Sequence, residues 1–466
     1  MRIPMSKFVL ALALCCSVVA TAADKPNFIL IFVDDLGYAD IGPFGSKLHR
    51  TPSLDKMAAE GRKLTSFYVT APVCTPSRSS LMTGSYPRRV GLDESEKGQW
   101  VLFPGNREGL NPDEVTVAET LKAVGYKTAC VGKWHLGDQR PFLPTRHGFD
   151  SYFGIPFSND MGHDSRRQPY RYPPLPLLRG EEVIEKEPDQ RLITQRYTEE
   201  ALEFIEENKE GPFFLYLPHT MPHWPQYSSE RFAGKSKNGA WGDSVEEIDW
   251  STGQILAKLD QLGIDDNTMV VFTSDNGGAV NHGASNAPLR GGKGTTWEGG
   301  HRVCFVVRWP GRVPAGTTTD EVAISVDILP TFAALAGASV PSDRVIDGKD
   351  IRSVLLDDKP EPSPHVAYYY YFMSHLNGVR SGRWKLHVAR KGGRYPDYDS
   401  NPVLELYDLQ TDIGEERNVA DKFPQVVERL QALAEVARRD LGDGKRAGKN
   451  QRPPGIVDMS VTLTSN

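Results

Sequence analysis

Cysteine is scarce in this chain: of five, Cys15 and Cys16 fall in an apolar leader, and only Cys74, Cys130 and Cys304 follow it. Three thiols make no disulfide framework, even in an oxidising compartment. Cys130 and Cys304 each sit inside an apolar, strand-like run, which reads as buried thiols with one bridge between them left open. Charge of one sign is missing too. The formal net charge of -6 is spread along the sequence, with neither a basic stripe for nucleic acid nor an acidic tail, so no nucleic-acid partner is expected. Beyond the leader, no stretch reaches the roughly 20 apolar residues of a membrane helix, which argues against a stable membrane span. Internal repeats are absent. What remains is a globular composition, long enough at 466 residues for one large domain with a smaller appendage.

The N-terminus has Arg2 and Lys7, an apolar run from Phe8 to Ala20, and the small-residue ending Ala20-Thr21-Ala22. That layout predicts a signal peptide over residues 1–23 and an exported protein, periplasmic or secreted. Short apolar strands then alternate with amphipathic helices: strands at Phe28 to Val33, Tyr126 to Val131, Phe213 to Leu217, Thr268 to Thr273 and Val303 to Trp309. The pattern predicts an α/β fold with a large, mostly parallel central sheet flanked by helices, over residues 24–350. After a Pro-rich stretch the character changes to antiparallel strands closed by a helix from Gln425 to Leu441, which predicts a small α+β C-terminal subdomain over 360–441. Residues 442–466 carry charge, Gly and Pro without periodicity and read as a flexible tail.

Polar clusters fall immediately after the strands: Asp34-Asp35, Lys133 with His135, His219 with His223, and Asp275-Asn276. Open parallel sheets bind ligands at the carboxyl ends of their strands, so four clusters converge on one edge. Three carboxylates and an amide oxygen there could surround a hard divalent cation, although an aspartate pair is also an ordinary turn or cap. Cys74 precedes Pro76 and Arg78 and opens a short helix ending at Gly84, where free amides favour an anion; a buried thiol before a capped helix is the bland alternative. His219 and His223 could be a zinc pair, but Pro222 between them rules out helical spacing and no third soft ligand is near. The glycine-rich run from Leu289 to Gly299 fails the P-loop pattern, because Lys293 is not followed by Ser or Thr.

The string Cys74-Thr75-Pro76-Ser77-Arg78, running on to Met82-Thr83-Gly84, resembles the signature of the type I, formylglycine-dependent sulfatases, in their arylsulfatase A-like branch. The resemblance extends in order from the leader to about the strand ending at Trp309, and more loosely through the C-terminal subdomain. It implies an alkaline-phosphatase-like fold, and sulfate-ester hydrolysis by a hydrated aldehyde made from Cys74 by a formylglycine-generating maturation enzyme. It implies one Ca²⁺ held by Asp34, Asp35, Asp275, Asn276 and the modified residue 74. It further gives Arg78, Lys133 and Lys293 the sulfate charge and Asp275 the base. His223 becomes the acid at the leaving oxygen, and His135 the group that re-forms the aldehyde. Ser158, in Gly154-Ile155-Pro156-Phe157-Ser158-Asn159-Asp160, matches a sulfate-touching serine, and His219 is carried as a supporting substrate-binding residue. The substrate implied is a sulfated small molecule or glycan, with Met161 to Tyr172, Tyr368 to His375 and Arg390 to Tyr398 as a rim. Two alternatives stay open: a phosphonate or phosphate ester hydrolase of the same superfamily, and an inactive sulfated-glycan-binding protein. The sequence leaves oligomeric state undefined.

Overall fold

A computed structural model describes residues 25–163, 172–388 and 404–464. The expected leader, most of the rim segment Met161 to Tyr172 and all of Arg390 to Tyr398 lie outside the described residues. Elements in chain order are β1 (Asn27–Val33), α1 (Pro52–Ala59), β2 (Arg62–Leu64), α2 (Cys74–Thr83), α3 (Val117–Lys122), β3 (Lys127–Val131) and β4 (Ser151–Gly154), followed by β5 (Pro176–Arg179), β6 (Glu182–Lys186), α4 (Ile193–Glu207), β7 (Phe213–Pro218), α5 (Gly239–Leu262), β8 (Thr268–Ser274), β9 (Phe305–Arg308), β10 (Thr317–Thr319) and α6 (Ile328–Ala336).

These strands form a ten-stranded sheet in the order β10-β2-β9-β8-β1-β7-β3-β4-β5-β6. The five central strands, β8 to β4, run parallel, and β9 and the β5–β6 hairpin are antiparallel additions at the two sides. β1 is buried throughout, which its unbroken apolar run dictates for a strand covered on both faces. Alternation sorts its side chains. Phe28, Leu30 and Phe32 pack with α2, α3 and α6 on one face, and Ile29, Ile31 and Val33 pack with α1, α4 and α5 on the other. The run expected as one strand from Val303 to Trp309 is broken at Cys304. Arg302–Val303 pairs with Phe67–Tyr68 in a separate three-stranded sheet, and only Phe305–Arg308 joins the main one.

The C-terminal subdomain is an antiparallel sheet of β11 (Tyr368–Phe372), β12 (His375–Ser381), β13 (Trp384–His387) and β14 (Glu405–Asp408). It is covered by α7 (Pro424–Asp440), whose Val427, Leu430, Ala434 and Ala437 face inward at helical spacing. A buried charge cluster ties it to the helical turn Glu298–His301: Glu298 meets Lys385 of β13 at 3.1 Å, and Lys385 meets Glu415 at 2.7 Å.

The stretch after Gly442, expected as a flexible tail, is instead a strap packed along the body. Gly442–Asp443 pairs with Arg446–Ala447, and Gly455–Ile456 pairs antiparallel with Glu108–Gly109. Arg452 forks onto Glu114 at 2.6 and 3.0 Å, Val457 and Arg107 exchange hydrogen bonds, and Gln139 bonds both backbone groups of Val461. Backbone pairing and charge hold it, and these leave no apolar periodicity to read.

Candidate active site

Five parallel strands deliver their carboxyl ends to one edge of the sheet. β1 gives Asp34 and Asp35, β8 gives Asp275 and Asn276, β3 gives Lys133 and His135, β7 gives His219 and His223, and β4 leads to Ser158. The two acidic turns are stitched together: the Asp275 amide donates to the Val33 carbonyl at 2.9 Å, and Asp275 Oδ1 accepts from the Asp35 amide at 3.0 Å. Such closeness needs small residues. A Cβ on Gly277 would lie 1.7 Å from the Gly299 carbonyl oxygen, and one on Gly132 2.0 Å from that of Pro218. Asp35 and His135 both have positive φ, 66° and 62°, a strained region for side-chain-bearing residues that tends to persist where function requires it.

Helix α2 starts at Cys74, is buried along its whole length and ends on Gly84 with φ 64°. Its first-turn amides and dipole point positive charge at the acidic turns. Cys74 Sγ lies 3.5 Å from Asp34 Oδ1, and Lys293 Nζ is 3.7 Å from that sulfur. Ligand atoms of Asp34, Asp35, Cys74 and Asp275 all lie within 4.8 Å of one another.

Three cations balance the three carboxylates. Arg78 donates from Nε and Nη2 to Asp275 Oδ2 at 3.0 and 2.8 Å. Lys133 meets Asp34 Oδ2 at 2.5 Å and donates to Ser158 Oγ at 3.3 Å, and Lys293 donates to Asp35 Oδ2 at 2.7 Å. Burial pushes the Asp34 carboxyl up, but the charges of Lys133, His223, Arg78 and Lys293 outweigh it and hold Asp34 well below the usual range. Asp275 goes the other way: burial and the neighbouring Asp34 charge raise it to about 7 against the pull of Arg78. Burial raises the Cys74 thiol well above its ordinary value despite both lysines, so as a thiol it is an unreactive, protonated group.

The histidines differ in what their rings face. His135 Nε2 donates to the Leu102 carbonyl at 2.9 Å, which leaves Nδ1 as the acceptor, buried and without a partner. Burial and Lys133 keep this ring neutral, well below the usual imidazole pKa. His223 Nδ1 donates to Asn159 Oδ1 at 3.1 Å, directing Nε2 to the site, 3.6 Å from Asp35 Oδ2. His219, expected beside the substrate, is instead buried next to α5, with Nε2 3.4 Å from Ser251 Oγ, and it lines neither site cavity. Burial lowers its pKa to about 3. It follows β7 directly, so the sheet holds it below the edge that His223 reaches. Sequence reasoning passed over Asn159, next to Ser158 in the same segment, and Trp100, which carries no motif.

A cavity of about 100 Å³ opens at Cys74, lined also by His135, Ser158, His223 and Lys293. It continues into a cleft of about 300 Å³. A small anion held by fixed cations beside a carboxylate cluster is what this arrangement can accommodate. Residues 26–338 match the Sulfatase family, and residues 292–439 match the C-terminal region of N-sulphoglucosamine sulphohydrolase. The chain belongs to the sulfatase family.

This sulfatase is 39% identical over 450 residues to arylsulfatase A of Bos taurus, covering 89% of this chain and 87% of that one. It is 35% identical over 493 residues to N-acetylgalactosamine-6-sulfatase of Canis lupus familiaris, covering 96% and 93%. The crystal structure of Ps i-CgsB in complex with k-i-k-neocarrahexaose is 32% identical and covers 89% of this chain and 92% of that one, with a TM-score of 0.76. The fold is alkaline-phosphatase-like, and the protein is a sulfuric ester hydrolase. Cys130 and Cys304 are both buried and free, so the bridge left open between them is not formed. Among the described residues, no helix is long and apolar enough to cross a membrane.

Proposed function

We propose that this sulfatase is an exported enzyme that hydrolyses sulfate monoesters of a carbohydrate, with residue 74 working as formylglycine beside one calcium ion. The convergence of Arg78, Lys133 and Lys293 with Asp34, Asp35 and Asp275 around Cys74 carries this reading. The donor set suits a hard cation, since it is all oxygen apart from the cysteine, and Asn276 Oδ1 is a buried side-chain oxygen with no partner. Asp34, Asp35, Asp275 and Asn276 would hold the ion, with residue 74 facing it. A bound calcium ion polarises the sulfate and stabilises an adjacent oxyanion. Formylglycine supplies a geminal-diol nucleophile and a way to expel sulfate without water attacking sulfur.

The chain's own groups supply the rest. Arg78, Lys133 and Lys293 neutralise the equatorial sulfate oxygens, and Ser158 adds a hydroxyl. Asp275, beside residue 74 in the acidic cluster, would take the proton lost when that residue attacks. His223 presents Nε2 to the leaving oxygen because Asn159 occupies Nδ1. Burial and Lys293 lower the His223 pKa, and the negative charge of a bound sulfate ester offsets that lysine. His135 has its unprotonated Nδ1 free to take the second proton. The carbohydrate assignment is supported by the named substrate of the canine relative and the oligosaccharide in the Ps i-CgsB complex. The leader sequence supports export, and the buried, protonated thiol supports a requirement for a maturation enzyme.

Peptide mass spectrometry across Cys74 on natively matured protein, paired with sulfate release from an aryl sulfate with and without a calcium chelator, tests the proposal. A loss of about 18 Da at residue 74 with chelator-sensitive turnover is the expected result. Unmodified Cys74 in folded, active protein overturns it, and faster turnover of an aryl phosphonate than of the sulfate would move the activity to phosphonate esters.

A further inference from the structure

We infer that Asn286 is a positioning residue, whose one side-chain amide sets the two cation-holding turns and the Lys293 loop at their working distances. This deepens the proposed function and rests on it for the calcium and the sulfate. Asn286 lines neither the Cys74 cavity nor the adjoining cleft, so it acts through other groups. Its side chain is buried, at 3% exposure, and every bonding position of its amide is used. Oδ1 accepts from the backbone amides of Tyr38 at 3.3 Å and Gly278 at 2.9 Å. Nδ2 donates to the carbonyls of Gly278 at 3.0 Å and Gly291 at 3.1 Å. A backbone N–H only donates and a carbonyl only accepts, so these four bonds fix which way the amide faces.

The three partners belong to three segments of the site. Tyr38 follows Asp34 and Asp35, Gly278 follows Asp275 and Asn276, and Gly291 precedes Lys293. The Gly278 carbonyl also accepts from the Lys293 amide at 3.2 Å, and Lys293 Nζ returns to Asp35 Oδ2 at 2.7 Å, which closes a ring through all three. The segments leave no slack around it. A Cβ on Gly278 would lie 2.6 Å from Gly37 Cα, and one on Gly292 2.7 Å from Asn286 Nδ2. Asp40 braces the joint from behind, its Oδ1 accepting from the Ser285 amide at 2.9 Å and its Oδ2 from the Gly37 amide at 2.8 Å. Alanine at 286 takes the bond from each of the three segments. Aspartate has the same shape but sets an oxygen against the Gly278 and Gly291 carbonyls, so it should do no better.

The experiment compares natively matured wild-type, Asn286→Ala, Asn286→Asp and Arg308→Gln proteins. Arg308 pairs with Glu60 and Asp265 at the other end of β8 and serves as the control for lost stability alone. Two quantities are read: the calcium concentration that gives half of the full rise in melting temperature, and KM for 4-nitrophenyl sulfate. We expect both to rise about tenfold in each Asn286 variant, with kcat changed less, and neither to move in Arg308→Gln. An unmoved calcium half-point and KM in the Asn286 variants overturn the positioning role. Equal shifts in Arg308→Gln overturn it too, because general loosening would then suffice, and so does full recovery by Asn286→Asp. Hydrogen exchange on calcium-free protein needs no turnover. Faster exchange at Tyr38, Gly278 and Lys293 together in either Asn286 variant, absent in Arg308→Gln, upholds the joint even if wild-type protein ignores calcium and releases no sulfate; the proposed function would then fail alone. Faster exchange confined to the residues next to 286 overturns the joint.

Discussion

Glu298 and Lys385 meet at 3.1 Å with neither side chain reaching solvent. Glu298 also accepts from the Tyr370 hydroxyl at 2.5 Å, and its backbone amide donates to Glu415 at 2.7 Å. The pair fastens β13 to the end of the loop that carries Lys293, so the C-terminal sheet fixes the position of a cation in the site. Removing one partner would leave buried carboxylates uncompensated. Lys385→Met should cost about 3–5 kcal/mol of stability, read from urea midpoints.

That cluster also predicts a pH dependence. Burial alone would raise the Glu298 carboxyl, but Lys385, Arg302 and Arg380 hold it well below its ordinary value. A carboxyl depressed in the folded state adds stability that is complete above its unfolded pKa and is lost as pH falls below that value toward the folded one. Urea midpoints measured from pH 7 down to pH 3 should therefore fall once the pH passes below about 4.5. In Glu298→Gln the curve should start lower and slope less over that interval.

The tether between Asn159 and His223 makes a kinetic prediction. Without the Asn159 acceptor the imidazole loses its fixed orientation at the leaving oxygen. Asn159→Ala should lower kcat on an alkyl or sugar sulfate by about 10²-fold and barely change 4-nitrophenyl sulfate, whose leaving group needs no proton. His223→Ala should show the same substrate pattern with a larger loss. Equal losses on good and poor leaving groups would remove His223 from the acid's role.

Calcium should act on stability as well as on turnover. A ligand that binds only the folded state adds about 2.7 kcal/mol at a hundred times its Kd. Wild-type protein stripped by a chelator should melt at lower temperature and recover when calcium is restored. Asn276→Ala should need more calcium for the same recovery, since it removes the oxygen that lacks a partner.

Much of this was legible beforehand because burial on both faces writes itself as unbroken apolar runs, as in Phe28 to Val33. The acidic and basic clusters stood out for the same reason, each following such a run. The side additions to the sheet were not legible. β2 and β10 have three residues each, and the break at Cys304 leaves no mark in an apolar string. Asn159 and Trp100 are single polar and aromatic residues in loops, given meaning only by what the fold sets opposite them. His219 misled because adjacency to a strand end does not say which way a side chain turns.

The strap through Gly455 and Ile456 closes on the loop whose Leu102 bonds both Thr75 of α2 and His135. Deleting residues 449–466 should thus lower turnover as well as melting temperature. It also sets an order of assembly. Every charged group of the site has been synthesised by Lys293, yet the latch on Leu102's loop, at Gly455 and Ile456, leaves the ribosome only after all of them. A nascent chain therefore carries the charged groups of the site before it can close the strap over Leu102's loop. A stop codon ahead of Gly455 would not simply shorten the protein; it would leave the loop that bonds Thr75 and His135 without its latch.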